Sequence, residues 1–160
     1  MKKITAILIT LCLLCAAFAA VADIGTPVFE DMPSVIMEDE NTTVDEAGFN
    51  GEWTLYVAFL GTEYITNEEI YEKFGYIFEP LVIADRKISK EVQNEFGEFT
   101  TVELPLTFES GQMRGVDGTG TEFVIEQLED GNLVLSVFFP GEDGAVICLS
   151  IFLVHLAEAE

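Results

Sequence analysis

Hydrophobic and polar residues alternate along most of the chain after residue 50. The first such stretch places Trp53, Leu55, Val57 and Phe59 on one side of an extended chain and Thr54, Tyr56, Ala58 and Leu60 on the other. A period of two is typical of a β-strand that buries one face. The same period predicts strands at about 76–84, 87–93, 99–108, 112–116, 121–128, 132–139 and 145–156.

Short glycine-containing stretches separate these strands, at 109–111, 117–120, 129–132 and 140–144. Because Gly supplies positive φ and Asp or Asn tolerates it, these stretches predict tight turns between neighbouring antiparallel strands. A single helix is predicted after the first strand. Thr66 and Glu69 have the spacing of a capping box, and Gly75 is a typical stop signal.

This succession predicts an all-β fold, an antiparallel up-and-down β-barrel with one short helix. Barrel closure removes the exposed edges that a flat meander would leave. A β-sandwich is the alternative architecture. The last strand departs from the alternation, because residues 147–156 are apolar on both faces. We expect its outer face to be covered by the helix near Ile70 or by a second subunit, since water disfavours two exposed apolar faces.

One face of the predicted barrel is apolar, and it is the candidate ligand-lining surface. The residues that we expect on it as ligand-lining side chains are Trp53, Leu55, Val57, Phe59, Leu104, Leu106, Phe108, Phe123, Ile125 and Leu135. An eight-stranded barrel is just wide enough to be filled by side chains or to hold one small ligand. The alternation is therefore consistent with a packed core and with an internal cavity.

The first 22 residues have the pattern of a secretory signal peptide. Lys2 and Lys3 precede an apolar run that ends in small residues, and cleavage is expected after Ala22. The alternatives are cleavage after Ala19 and a lipid anchor on Cys15. The prediction is a secreted, extracellular protein with no stable membrane insertion after cleavage.

Two regions follow the leader. Residues 23–48 are acidic and carry few evenly spaced apolar residues, so we expect a flexible acidic segment. Residues 49–160 are the predicted β-barrel domain. Beyond the leader, five Lys and Arg residues stand against 29 carboxylates, a formal balance of −24. Such a surface repels the phosphates of nucleic acid, which excludes nucleic-acid binding, and favours solubility outside the cell.

Catalytic and metal-binding patterns are poor. His155 is the single histidine, and strand spacing places Cys148 and Ser150 on the opposite face from it. One His and one Cys cannot form a zinc site. We therefore expect no enzyme activity, no cofactor and no metal. Calcium is the remaining alternative, with oxygen ligands from Asp117, Thr119 and Glu122 in one turn or from Glu142 and Asp143 in another.

The segment Phe49-Asn50-Gly51-Glu52-Trp53 resembles the Gly-x-Trp signature that opens the first strand of lipocalins. The part of the chain from Gly51 onward is similar to lipocalin-like domains of secreted bacterial proteins. The resemblance implies that Trp53 closes one end of the barrel and that Gly51 makes the tight turn before it. The family usually sets an Arg or Lys of the last strand against this tryptophan, whereas no Lys or Arg follows Arg114 here.

Two functions follow from these observations. The first is an exported, lipocalin-like binding module for a small apolar ligand, which the resemblance implies. The alternative is an acidic structural or interaction protein with a filled core, which contacts a protein partner through its tail or its last strand. The volume of the barrel interior distinguishes the two.

Overall fold

The computed structural model describes residues 26–40, 42–75, 78–93, 99–141 and 144–156. Its strands are β1 (Gly51–Leu60), β2 (Glu63–Ile65), β3 (Leu81–Ala84), β4 (Lys87–Gln93), β5 (Phe99–Pro105), β6 (Thr107–Glu109), β7 (Gln112–Val116), β8 (Glu122–Gln127), β9 (Leu133–Pro140) and β10 (Val146–His155). One α-helix, α1 (Asn67–Phe74), follows β2, and 3₁₀ turns cover Phe29–Asp31 and Glu46–Phe49.

The strands form one antiparallel sheet in the order β5-β4-β3-β1-β10-β9-β8-β7-β6, and β2 pairs with β1 alone. The two terminal strands of this path, β5 and β6, are separated in the chain by Leu106 only. They are two halves of one bent strand, so the path returns to its start and the sheet is a nearly closed up-and-down barrel. The predicted fold class is confirmed. The β-sandwich alternative is wrong, because the described strands belong to one continuous sheet rather than to two packed sheets.

The antiparallel ladders give the barrel two ends. β1 starts at the end that we call the Trp53 end, where the β3–β4 turn and the loop 128–132 also lie. The opposite end, which we call the helix end, carries α1 and the β7–β8 turn. These names are used below for the two ends of the barrel.

A β-bulge interrupts β1 and reverses the direction of its side chains. Leu55 pairs with Leu153 and Val57 pairs with Phe152, so Tyr56 is an extra residue between them. The alternation predicted that Val57 and Phe59 share a face with Trp53, and this is wrong. After the bulge, Ala58 and Leu60 face the interior, whereas Val57 and Phe59 lie on the outside of the barrel wall.

The N-terminal segment covers the outer apolar surface that the bulge creates. The residues of this second, outer core are Val57, Phe59, Leu128, Val134 and Phe152, against which Phe29, Met32 and Val35 pack. The backbone N–H of Ile36 donates to the carbonyl of Gln127 at 2.8 Å, and that of Glu129 donates to Ser34 at 3.0 Å.

This arrangement resolves the two apolar faces of the last strand. The outward residue Phe152 is covered by the N-terminal segment, with Phe29 in edge-to-face contact at 6.1 Å between ring centroids, and not by the helix. The reading of residues 23–48 as flexible did not anticipate these contacts, although the division into domains remains a prediction. The signal peptide predicted for residues 1–22 lies outside the described residues.

The predicted helix is confirmed with both of its caps. Thr66 Oγ1 accepts a hydrogen bond from the backbone of Glu69, and the Glu69 carboxylate accepts one from the backbone of Thr66. Gly75 ends the helix with φ 69°. Ile70 is fully buried in the main core, and the Phe74 ring stacks on Phe139 at 4.6 Å. The helix therefore closes over one end of the barrel. In the described part of the chain, no helix has the length and apolar character needed to cross a membrane.

Candidate functional site

The barrel interior is an apolar surface to which all parts of the sheet contribute. Of the ten predicted ligand-lining residues, the main core contains Trp53, Leu55, Leu104, Leu106, Phe108, Phe123, Ile125 and Leu135. The ladder places Phe123 opposite Val137 and Ile125 opposite Leu135, so these inward side chains face one another across neighbouring strands. Val57 and Phe59 do not belong to this surface, because the bulge moves them to the outer core.

Several inward-facing side chains are only half-buried. Leu55, Leu104, Phe108 and Val137 pack against the main core and yet retain accessible surface. By contrast, Ile125 and Leu153 are fully buried. No buried side-chain nitrogen or oxygen among the described residues lacks a hydrogen-bond partner. Such a surface can hold an apolar molecule by the hydrophobic effect and offers few polar groups to fix its orientation.

Trp53 lies at the bottom of this interior, where its ring is 2% exposed. Its indole N–H donates to the carbonyl of Phe49 at 3.0 Å, which satisfies the polar atom of a buried ring. Phe49 ends the 3₁₀ turn that Asp45 caps, and its ring makes an edge-to-face contact with Phe108 at 6.0 Å. The 3₁₀ turn and the rings of Trp53 and Phe49 close this end of the barrel.

His155 completes the closed end. It is the ladder partner of Trp53, and the two rings meet edge to face at 4.9 Å between centroids. An imidazole therefore occupies the position at which the resemblance leads us to expect an Arg or Lys. Gly51 makes this approach feasible, because a Cβ at residue 51 would lie 2.4 Å from His155 Nε2. The φ of Gly51, 149°, also favours glycine.

An ion pair fastens the same end from outside. Arg86, in the β3–β4 turn, donates from Nε and Nη2 to the two carboxylate oxygens of Glu46, at 2.6 and 2.8 Å. The hydrogen bonds from Arg86 lower the pKa of Glu46, and the same contact raises the pKa of Arg86. Both groups are exposed, so the pair fixes the orientation of the turn more than it stabilises the fold.

Neither of the two nucleophile candidates on the last strand lies beside His155. Cys148 and Ser150 lie 3.6 Å apart, from Sγ to Oγ, on the outward face of β10, whereas His155 faces Trp53. His155 Nδ1 lies 3.3 Å from the carbonyl of Leu156. This arrangement orients the ring against Trp53 and away from Cys148 and Ser150.

Of the two turns considered as calcium sites, the structure describes only the one that contains Asp117. Asp117 Oδ1 accepts hydrogen bonds from Thr119 N, Thr119 Oγ1 and Thr121 N at 2.7–2.9 Å. Burial raises the pKa of Asp117, but these bonds together with one from Gly120 outweigh it and lower the pKa. Within the described ranges, no three His, Cys, Asp or Glu residues are grouped as a metal would require. Glu142 and Asp143 lie outside the described residues.

Clefts are also present on the outer surface. One of about 540 Å³ crosses β3, β4 and β5 beside Val82 and Phe99. Another of about 350 Å³ lies beside the bulge, between Tyr56 and Asp130. A third, of about 400 Å³, lies where β5 and β6 meet β7 and β8.

The sequence analysis missed two members of the closed end. Phe49 and His155 both contact Trp53 itself. The first was predicted only to begin the barrel domain, and the second was considered only as a catalytic or zinc-binding group. No local signal pairs His155 with Trp53, because no turn joins the first strand to the last and only the β1–β10 ladder sets their register.

Comparisons with known proteins give a limited picture. No protein-family model matches the chain, and no characterised protein matches it in sequence. Among solved structures, it is similar to the odorant-binding protein from bovine nasal mucosa, with TM-score 0.44 and 19% identity over 76% of this chain and 80% of that chain. A structure of the bovine odorant-binding protein complexed with its natural ligand gives the same values. Its complex with a selenium-containing odorant gives TM-score 0.43 and 18% identity over 76% and 79% of the two chains.

Proposed function

We propose that this chain is an exported, lipocalin-like binding module that holds a small apolar ligand inside its barrel and performs no catalysis. The observation that carries the proposal is the contrast within the interior. Trp53, Phe49 and His155 seal one end, whereas the inward side chains of Leu55, Leu104 and Val137 above it remain half-buried. Inward apolar groups that retain accessible surface are the wall that an apolar ligand would cover.

Native mass spectrometry tests this proposal directly. The full chain is expressed in a secreting host, and the exported protein is purified without detergent. We expect a mass that exceeds the polypeptide by that of a small molecule, which leaves when the protein unfolds. The polypeptide mass also tests cleavage after Ala22. A bare polypeptide mass, together with no uptake of lipophilic fluorescent probes, would contradict the binding function.

Filling the interior provides a second test. Leu55→Phe adds a ring inside the barrel, and the matched control Tyr56→Phe changes the neighbouring outward residue, which is 63% exposed. In a hollow barrel, we expect Leu55→Phe to keep the stability and to weaken probe binding about tenfold, equivalent to about 1.4 kcal/mol. In a filled barrel, the same change causes overpacking and costs about 1–3 kcal/mol of unfolding free energy.

An interaction protein with a filled core is the second candidate. The outer face at the helix end of β9 and β10 favours it, because Val146 is 69% exposed and Phe138 is 37% exposed there. These two residues, beside Cys148, give the last strand an apolar surface that a protein partner could cover. A bare mass, a filled interior and loss of partner capture in Val146→Asp would support this candidate over the first.

A further inference from the structure

The barrel wall has a seam between the bent strand β5–β6 and strand β7. We define the seam by Pro105, Leu106 and Thr107 on one side and by Gly115 and Val116 on the other. The β6–β7 ladder runs from Glu109↔Gln112 to Thr107↔Arg114 and ends there. Strand β5 is paired with β4, and no ladder joins β5 to β7 in the described part of the sheet.

The sequence at the bend explains why the ladder stops. Pro105 has no backbone N–H, so it cannot donate across the seam. The N–H of Leu106 donates to the carbonyl of Arg86 at 2.8 Å, which lies in the β3–β4 turn and not in β7. Pro105 therefore removes a donor to the neighbouring strand, whereas the N–H of Leu106 faces the β4 side as the alternation of an extended strand requires. The wall is held there by the continuity of the chain.

A cleft of about 400 Å³ lies on this seam. Outward residues form its rim, including Thr107, Val116 and Val124. Leu106 and Phe123 also line it, and both belong to the main core inside the barrel. The cleft therefore extends from the outer surface to side chains that line the interior.

Gly115 and Phe123 control the depth of the cleft. A Cβ at residue 115 would lie 2.3 Å from Cζ of Phe123, so the tip of the ring occupies the space that a side chain at 115 would fill. Phe123 is the ladder partner of Gly115 and is 6% exposed. One aromatic ring thus separates the cleft from the interior.

We propose that this seam is the passage by which ligand reaches the barrel interior, with the Phe123 ring as its gate, and that it admits unbranched apolar chains and excludes bulky ring systems. The inference rests on the proposed binding function. The Trp53 end is sealed by two aromatic rings, and α1 covers the opposite end. The Phe123 ring fills the space left by the missing side chain of Gly115, so the passage opens only when this ring turns aside, and an unbranched chain needs a smaller displacement of the ring than a branched or polycyclic molecule.

Thiol labelling tests the passage without any need for a natural ligand. Cys148→Ser removes the native thiol, and Val137→Cys places a new one on the inward face, beside Phe123 in the ladder. The reagents are n-hexyl and 1-adamantyl methanethiosulfonate. The cysteine thiolate attacks the sulfenyl sulfur, a disulfide forms, and methanesulfinate leaves. The labelling rate is followed by mass spectrometry.

Two variants of exposed valines in the Val137→Cys background separate the seam from other routes. Val116→Phe adds bulk within the cleft, where Val116 is 50% exposed, and Val82→Phe makes the same change on the outer face of β3, where Val82 is 41% exposed. We expect Val116→Phe to slow n-hexyl labelling about tenfold or more, a barrier increase of about 1.4 kcal/mol. Val82→Phe should stay within about twofold of the parent rate.

The gate and the selectivity are tested in the same assay. With each rate divided by the rate of the same reagent with a small free thiol, the n-hexyl reagent should react about tenfold faster than the adamantyl reagent, and Phe123→Leu should accelerate the adamantyl reagent most. Equal labelling rates in Val116→Phe and Val82→Phe would overturn the inference. Equal normalised rates with the n-hexyl and adamantyl reagents would also overturn it. If Val137→Cys does not fold, Leu135→Cys provides a second inward thiol.

The labelling result and the binding result are independent. If the native mass is that of the bare polypeptide and labelling depends on the seam, the proposed binding function is contradicted and the passage is supported. If a ligand is retained and labelling does not depend on the seam, the binding function is supported and the passage is contradicted.

Discussion

The Trp53 end and the seam belong to the same barrel wall, but they are held together in different ways. At the Trp53 end, the indole of Trp53 makes a buried hydrogen bond to the nearby carbonyl of Phe49. The edge-to-face contact with His155 and the Arg86–Glu46 pair bring together residues far apart in sequence. At the seam, the cross-strand hydrogen bond from Thr107 Oγ1 to the carbonyl of Arg114 is long, 3.4 Å. The backbone of Leu106 is directed elsewhere.

The difference shows that a closed barrel does not need a uniform wall. Aromatic burial and tight glycine geometry fix one end, so substitutions there should be costly. The seam relies on a chain bend and a single ring against Gly115, so its outer residues should tolerate change. The following substitutions test this contrast, starting with the largest expected effect.

Trp53→Ala should cause the largest loss of stability. It removes a buried ring from the closed end and leaves the carbonyl of Phe49 without its donor. We expect the unfolding free energy to fall by about 3–5 kcal/mol. Urea unfolding followed by far-UV circular dichroism measures this, with Tyr56→Ala as the exposed control in the same strand. A loss below about 1 kcal/mol would show that the ring does not hold this end.

Gly51→Ala should come next. The added Cβ clashes with His155 Nε2, and alanine disfavours φ 149°. We expect a cost of about 1–3 kcal/mol. Gly118→Ala is the matched control, because no heavy atom lies within 4 Å of its added Cβ. The double variant with His155→Ala should recover the steric part of the loss. No recovery would mean that backbone strain alone sets the cost.

Asp117→Ala should destabilise the β7–β8 turn, which follows the seam residue Val116, by about 1 kcal/mol. Its pKa is lowered in the folded protein, so the charged carboxylate stabilises the fold above the ordinary Asp pKa. This stability is lost as the pH falls through the folded-state pKa. The melting temperature, measured between neutral and acidic pH, should therefore fall less steeply with decreasing pH for the variant than for the parent chain. An equal fall in both proteins would contradict the stabilising role of the Asp117 carboxylate.

Pro105→Ala should have the smallest effect. The new N–H faces a seam without a ladder partner, and we expect the stability to change by less than about 0.5 kcal/mol. Hydrogen exchange at residue 105 should be fast, as in an unpaired strand edge. A slow-exchanging amide at this position would instead show that the seam closes once proline is removed.

Local patterns predicted local structure well. The helix needed only Thr66, Glu69 and Gly75, because its caps lie within the segment itself. Most strand boundaries fell within a few residues of the structure for the same reason. Turn chemistry then fixed which strands are neighbours, and from this the barrel followed.

Features that depend on distant partners were not predictable in this way. The bulge at Tyr56 leaves no mark on the alternation, since Val57 and Phe59 are as apolar as the inward positions that they replace. The apolar residues of the N-terminal segment, such as Phe29, are too few to form a core alone. They become a core only on the surface that the bulge provides. Because the bulge was not predicted, Val57 and Phe59 were placed inside the barrel, whereas they lie on its outer side.

The pairing of β1 with β10 has a consequence for the order of folding. Most other ladders between named strands join segments that are near in sequence, as in β3–β4 or β8–β9, and the β1–β3 ladder joins residues about 30 positions apart. The β1–β10 ladder links residues about 100 positions apart, from Trp53↔His155 to Leu60↔Leu149. During synthesis, the hairpins can form as they emerge, but the ring cannot close until its last strand is available. Until that moment, β1 presents an unpaired edge to its surroundings, and the ten residues of β10 determine when the barrel ceases to be open.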